Sequence, residues 1–215
     1  GVTLAKVVEY LVRKKNGNGN GNGKNTDLHD LTTFVSGPRG LLSEQQKQTE
    51  ILETLASRKL GPATVHLGRL KVTEEILGYE KRRLSGRDRL SSHPLTLPPI
   101  TFETVGLWME LPDELRGMVV AREGHFMGGI HAVEHAAISL FPLLAICDRS
   151  DIGGISYPLH PQIGRAAVFI YDGYPGGVGL AAKGYEALED LLERSSKLIE
   201  GCPCDEGCLS CIHSP

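Results

Sequence analysis

Four of the chain's five cysteines fall in one short run near its end: Cys202, Cys204, Cys208 and Cys211, in Cys-Pro-Cys-Asp-Glu-Gly-Cys-Leu-Ser-Cys. Intervals of one, three and two residues let short turns bring thiolates to one point, and Pro203 and Gly207 suit such turns. Deprotonated thiolates are soft ligands, and four of them fit a tetrahedral zinc ion. With sulfur in every position there is no place for an activated water, so the ion is structural. Its binding adds to folding free energy, on the order of 10 kcal/mol in small zinc peptides. We expect one structural zinc on Cys202, Cys204, Cys208 and Cys211. His213 is an alternative nitrogen ligand, and an iron–sulfur cluster is the chemical rival for the same thiolates.

A second set of ligand-type side chains lies in His131-Ala132-Val133-Glu134-His135, the His-x-x-Glu-His pattern of inverted zinc peptidases. On a helix both histidines share a face, and Glu134 is placed to act as general base toward a metal-bound water. That chemistry needs a further ligand. Glu186 and Glu189 are the downstream acids on offer, without supporting spacing. The reading expected here is a buried polar network that orients a core helix. A metal-dependent hydrolase using His131, Glu134 and His135 is the alternative.

Two acid-containing glycine loops follow, Asp148 to Gly154 and Tyr171 to Gly177. Free N–H groups at the second, between a strand and a helix start, can hold an anion. Asp151 and Asp172 have the chemistry to meet His131 and His135 in space. Turn formation and helix capping is the reading preferred for both loops. Lys81, Arg82, Arg83, Arg87 and Arg89 form a local basic cluster in a chain of net charge −3. They are the candidates for phosphate contact, against the plainer reading of a solvated strand end. The overall charge gives no global basic field.

The elements that must position these groups follow from periodicity. Leu4, Val7, Val8, Leu11 and Val12 predict a short helix within residues 1–15, and the Gly/Asn repeats of 16–26 predict a flexible tether. Gly23-Lys24 resembles the end of a phosphate-binding loop, but Asn18 and Asn25 occupy the required Gly and Ser/Thr positions, so no nucleotide site is assigned. Residues 27–60 form a lead-in, and 43–57 predict a polar helix capped at Ser43. Residues 64–72 predict a strand continuing toward Tyr79, with Gly68 marking a bulge. Residues 81–99 read as turn or loop, 101–110 as strand, and Pro112 as the start of a short helix.

Residues 125–146 predict a core helix that Pro142 kinks or ends. Cys147 beyond it reads as buried and inert. A Gly-Gly loop over 148–156 precedes a strand over 166–171, buried on both faces, and a tight turn at 174–177. A final amphipathic helix over 180–199 turns Leu188, Leu191, Leu192 and Leu198 inward and stops at Gly201. The fold class is α+β: a central buried helix packed with a small, mostly antiparallel sheet, and a C-terminal amphipathic helix ending in a four-cysteine zinc knuckle. Residues 61–215 form this domain.

Hydrophobic residues at 40% and charged residues at 23% fit a globular domain. Clustered cysteines differ from a secreted disulfide framework and point to a reducing, intracellular compartment, cytoplasm or nucleoid/nucleus. The most apolar stretch, Ala132 to Cys147, contains Glu134, His135 and Pro142 and is too short to span a bilayer, so no membrane partner is expected. The start at Gly1 without Met and the end soon after Cys211 suggest a piece of a longer polypeptide.

Four motifs occur in order: Gly129 to Ala136, Cys147 to Gly154, Tyr171 to Gly179, and the cysteine run. Together they resemble the MrfA-type zinc-binding domain, formerly a domain of unknown function. The resemblance covers roughly residues 50–213. It implies that Cys202, Cys204, Cys208 and Cys211 match the family's zinc-binding cysteines. Relatives often carry one more cysteine beyond this end, which would make Cys202 or Cys204 the dispensable one. The resemblance further implies the C-terminus of a superfamily 2 DNA helicase active in DNA repair. The partners implied are DNA and helicase domains of the same polypeptide, where ATP and Mg would bind. No helicase motif lies in this sequence, so no catalytic residue is assigned to it. Relatives in a phage-defence system make an interaction scaffold the further alternative.

Overall fold

A computed structural model describes residues 32–36, 41–82 and 89–203, with side chains from 46–81 and 89–203. The expected first helix and the Gly/Asn tether lie outside these residues. Seven strands form one sheet: β1 (Thr32–Ser36), β2 (Leu41–Leu60), β3 (Ala63–Arg82), β4 (Arg89–Pro94), β5 (Ile100–Glu110), β6 (Ile152–Tyr157) and β7 (Ala167–Asp172). All pairings are antiparallel, in the order β1-β2-β3-β5-β7-β6. Strand β3 is the spine. It pairs with β2 along one edge, and along the other with β5 and then, near its C-terminal end, β4. The helices are α1 (Asp113–Ala121), α2 (Phe126–Leu140), α3 (Leu180–Glu186) and α4 (Leu188–Glu200).

Strand β7 explains the layering. All six of its residues are buried, and they alternate between two cores. Val168 and Ile170 face the first, with Val65, Leu107, Met109, Leu188, Leu191 and Ile130, Val133 and Ala137 of α2. Ala167, Phe169 and Tyr171 face the second, with Leu70, Val72, Trp108, Ile155 and Tyr157. The buried strand and central helix expected from the sequence are both present. Helix α2 ends at Leu140, and a single 3-10 turn containing Pro142 follows.

Among the described residues, no helix contributes to the second core. Instead the sheet curls until the β6–β7 connection meets the free edge of β2. The Thr49 N–H donates to Tyr157 Oη at 2.7 Å. Gln162 imitates a strand: its Oε1 accepts from the Ile51 N–H at 2.7 Å, and its Nε2 donates to the Ile51 carbonyl at 3.0 Å. His160 Nε2 lies 3.1 Å from the Thr49 carbonyl. At Thr49 and Ile51, backbone groups that an edge strand would expose are thereby paired.

Four local expectations are corrected. Residues 43–57 lie in strand β2, not a polar helix. Their Glu, Gln and Lys residues favour helix locally, but the segment has too few apolar residues to seat a helix, and β3 pairs its backbone throughout. The bulge expected at Gly68 belongs to the partner strand, where register shifts fall at Ile51/Glu53 and Thr54/Ala56. Gly68 accommodates it, since a Cβ there would stand 2.0 Å from the Glu53 carbonyl oxygen. Part of the 81–99 loop is strand β4. Within 148–156, a 3-10 turn and β6 replace the loop. Gly153 and Gly154 serve there as spacers, because a Cβ on the first would lie 2.4 Å from the Tyr171 ring and on the second 2.6 Å from Ile138.

The final helix is also divided: Ala187, at φ −102° and ψ 18°, separates α3 from α4. Leu188, Leu191 and Leu192 are buried as expected, but Ile199 takes the inward place assigned to Leu198, which is only half-buried. Ile199 lies eleven residues, about three turns, after Leu188 and so shares its face, whereas Leu198 falls to one side of it.

His160 is fully buried against Tyr157 and Phe169, and its Nδ1 has no hydrogen-bond partner. Burial pushes its pKa below the ordinary 6.5, and the Thr49 carbonyl offsets this only in part. The folded ring is therefore the neutral one, donating from Nε2. On acidification the unfolded chain binds its proton first, so stability falls as pH drops through about 6.5 toward the lowered folded value. His160→Gln keeps a donor for Thr49 and removes this titration. Denaturant melts over that range should give a shallower acid-side loss for the variant; parallel profiles would refute the assignment.

Candidate metal centre

Helix α4 leads directly into the cysteine run. Its buried Leu188, Leu191 and Leu192 seat it on the first core, and Ile199 near its end is buried as well. Arg58 of β2 fixes the other side. Its guanidinium pairs in a two-pronged fashion with Glu189, with Nη2 2.8 Å from Oε2, and also donates to the Tyr185 carbonyl at 2.8 Å. The Arg58 hydrogen bonds hold the Glu189 carboxyl below its usual pKa. No local sequence signal links Arg58 to Glu189, 131 positions away.

Gly201 ends α4 with an ordinary φ of −78°, and the Cys202 N–H donates to the Ile199 carbonyl at 3.2 Å. Cys202 is half-buried at the negative end of the helix dipole. A cysteine sulfur at this place is of the ligand type that zinc takes. Cys204, Cys208 and Cys211 lie outside the described residues. Cys147 is half-buried rather than buried and packs on the first core. Burial, with Asp151, Asp148 and Asp172 nearby, raises its pKa and keeps it a protonated thiol.

The glycine loop after β7 binds its own anion. Asp172 is fully buried. Its Oδ2 accepts from the N–H groups of Val178 at 2.6 Å, Gly179 at 2.8 Å and Leu180 at 3.3 Å, while Oδ1 accepts from Ala181 at 2.6 Å. The donors that a ligand anion would use are thus filled by the chain itself, and the loop is a cap for α3. Gly176 and Gly177 turn at φ 81° and 78°, and the Gly177 N–H donates to the Tyr174 carbonyl at 3.0 Å in the expected tight turn. Asp151 does not reach the histidines either. It accepts from Tyr174 Oη at 2.6 Å and from the Asp148 N–H at 2.7 Å, which lower its pKa in that order.

His131, Glu134 and His135 do converge. His131 Nε2 lies 2.9 Å from His135 Nε2, and His131 Nδ1 lies 3.2 Å from Glu134 Oε2. Ser156 of β6, which the sequence did not single out, donates to Glu134 Oε2. This is the polar network expected between the core helix and its neighbours. The acids considered as further ligands are elsewhere: Glu189 is with Arg58, and Glu186 is 3.8 Å from Lys183. Of the basic cluster, Lys81 is exposed and Arg82 stands opposite Arg89 in register. Arg89 donates to the buried Glu80 at 3.1 Å, so its charge is already matched. Arg83 and Arg87 lie outside the described residues.

Residues 133–212 match the family described as the MrfA Zn-binding domain. An uncharacterized protein of Methanocaldococcus jannaschii is 41% identical over 88 residues, covering 40% of this chain and 79% of that protein. The chain belongs to the MrfA Zn-binding domain family. The uncharacterized ATP-dependent helicase YprA of Bacillus subtilis is 29% identical over 167 residues, which are 77% of this chain and 22% of that protein. A crystal structure of the DUF1998 helicase MrfA bound to DNA superposes with a TM-score of 0.58 at 26% identity, covering 81% of this chain and 23% of that one. This zinc-binding domain spans 16–22% of the full-length helicases it matches. The family match runs from the middle of α2 through α4 and all four clustered cysteines. Among the described residues, no helix is long and apolar enough to cross a membrane.

Asp172→Asn should show how much the self-filled loop contributes. An amide turns one acceptor into a donor facing N–H groups, which should cost about 2–3 kcal/mol. Chemical denaturation reads this directly, and a loss under about 0.5 kcal/mol would contradict the capping role.

Proposed function

We propose that this domain is the zinc-stapled C-terminal module of an ATP-dependent DNA helicase that acts in DNA repair. One structural zinc, held by Cys202, Cys204, Cys208 and Cys211, closes the chain's end onto the sheet and helices. The module has no catalytic residue of its own; ATP and Mg belong to helicase domains of the same polypeptide. Residues 61–215 form the module and 27–60 the lead-in, which supplies β2 to its sheet. The protein works where DNA is, in the cytoplasm or the nucleoid or nucleus.

The observation that supports this reading is the delivery of Cys202 by a helix docked on the core, at the start of a run that the family match includes through residue 212. Phosphate contact is assigned to Lys81, Arg82, Arg83 and Arg87. Arg89 is a weaker member because Glu80 holds it.

The test for zinc uses Cys208→Ser beside the unaltered protein. The unaltered chain should carry one sulfur-bound zinc, and chelation should lower its melting temperature by several degrees. The variant should lack that ion and melt near the chelated protein. A melting temperature indifferent to both changes would end the structural role. For DNA, neutralising Lys81, Arg82, Arg83 and Arg87 in the full-length protein should flatten the salt dependence of binding by roughly 0.9 in log–log slope for each lost phosphate contact. An unchanged slope would remove these residues from the interface.

A further inference from the structure

We propose that His131, Glu134 and His135 form a second metal site, distinct from the cysteine run, for a borderline divalent cation of the zinc class. Three ligand-type atoms, one from each residue, lie within 4.8 Å of one another. Spacings of three and four residues place all three groups on one face of α2. Two imidazoles and a carboxylate suit zinc or cobalt(II) better than a hard ion such as magnesium.

Three observations favour an ion over a hydrogen-bond relay alone. First, the Glu134 side chain has 4% exposure and its Oε2 lies 3.2 Å from His131 Nδ1, so a carboxyl oxygen and imidazole nitrogens meet where water has little access. Second, the two Nε2 atoms face each other at 2.9 Å. Ligands on a tetrahedral zinc with Zn–N of about 2.0–2.1 Å stand about 3.3 Å apart, so a small side-chain rotation admits the ion.

Third, the carboxylate is oriented from outside the set. Ser156 donates to Glu134 Oε2, as an outer-shell group does for a metal ligand. Gly154 leaves the carboxylate its space, since a Cβ there would lie 3.0 Å from Oε1. His131, with 41% side-chain exposure, provides the path by which the ion enters and the side on which a water completes its coordination.

The site differs from the cysteine zinc in ligand chemistry, so the two can be counted separately. The full chain is reduced, stripped of metal and titrated with cobalt(II). Sulfur-to-cobalt charge-transfer absorption reports the cysteine ion, and native mass spectrometry counts total metal. The unaltered chain should bind one ion beyond the number that gives charge-transfer absorption. His131→Ala should lose that ion and keep the charge-transfer band. Glu134→Gln, which keeps the side chain's shape, should weaken the extra ion by at least about tenfold while retaining the band. Equal metal counts in all three proteins would leave only the hydrogen-bond relay and overturn the second site. Loss of the charge-transfer band in the unaltered chain would instead count against the cysteine zinc, so the two failures are distinguishable.

Discussion

The fixed position of helix α4 is the constraint on which the rest depends. A cysteine run can lock a domain only if the segment carrying it is already held in place. Buried apolar side chains hold α4 from beneath, and Arg58 holds Glu189 and the Tyr185 carbonyl from β2. Arg58 also lies over the Tyr185 ring, 5.1 Å from its centroid. A planar guanidinium can bond the carboxylate, reach a carbonyl and cover a ring together, which a lysine cannot. The two elements thus joined come from distant parts of the chain, so the end of α4 that leads to Cys202 is tied to the sheet.

The same self-sufficiency appears in the polar groups of the interior. Asp172 fills the glycine loop that follows it, Gln162 pairs the edge of β2 at Ile51, and Ser156 ties β6 to the core helix. Each supplies hydrogen bonds that the backbone or a buried carboxylate would otherwise lack. The two cores share β7, and the edge of β2 is paired at Thr49 and Ile51 by Tyr157 and the connection leading into that strand.

Much of this was legible in the residues. Apolar periodicity marked α2, β3, β5 and β7, because each buries enough side chains for local pattern to match final environment. Strand β2 was hidden because its structure comes from pairing with β3 rather than from any apolar face of its own. Strand β6 was hidden because its glycines are there for Tyr171 and Glu134, contacts that no local rule encodes. The cysteine run was plain as chemistry, and the His-x-x-Glu-His set as a pattern. What the sequence did not disclose was Ser156 beside Glu134 and Arg58 beside Glu189, each separated from its partner by a long stretch of chain.

Anomalous X-ray scattering at the zinc edge, on crystals of the reduced protein, probes the cysteine centre most directly. An anomalous peak about 2.3 Å from Cys202 Sγ, with the other clustered sulfurs around it, is the expected result. No scatterer near Cys202, with any zinc confined to histidine and carboxylate ligands, would contradict it.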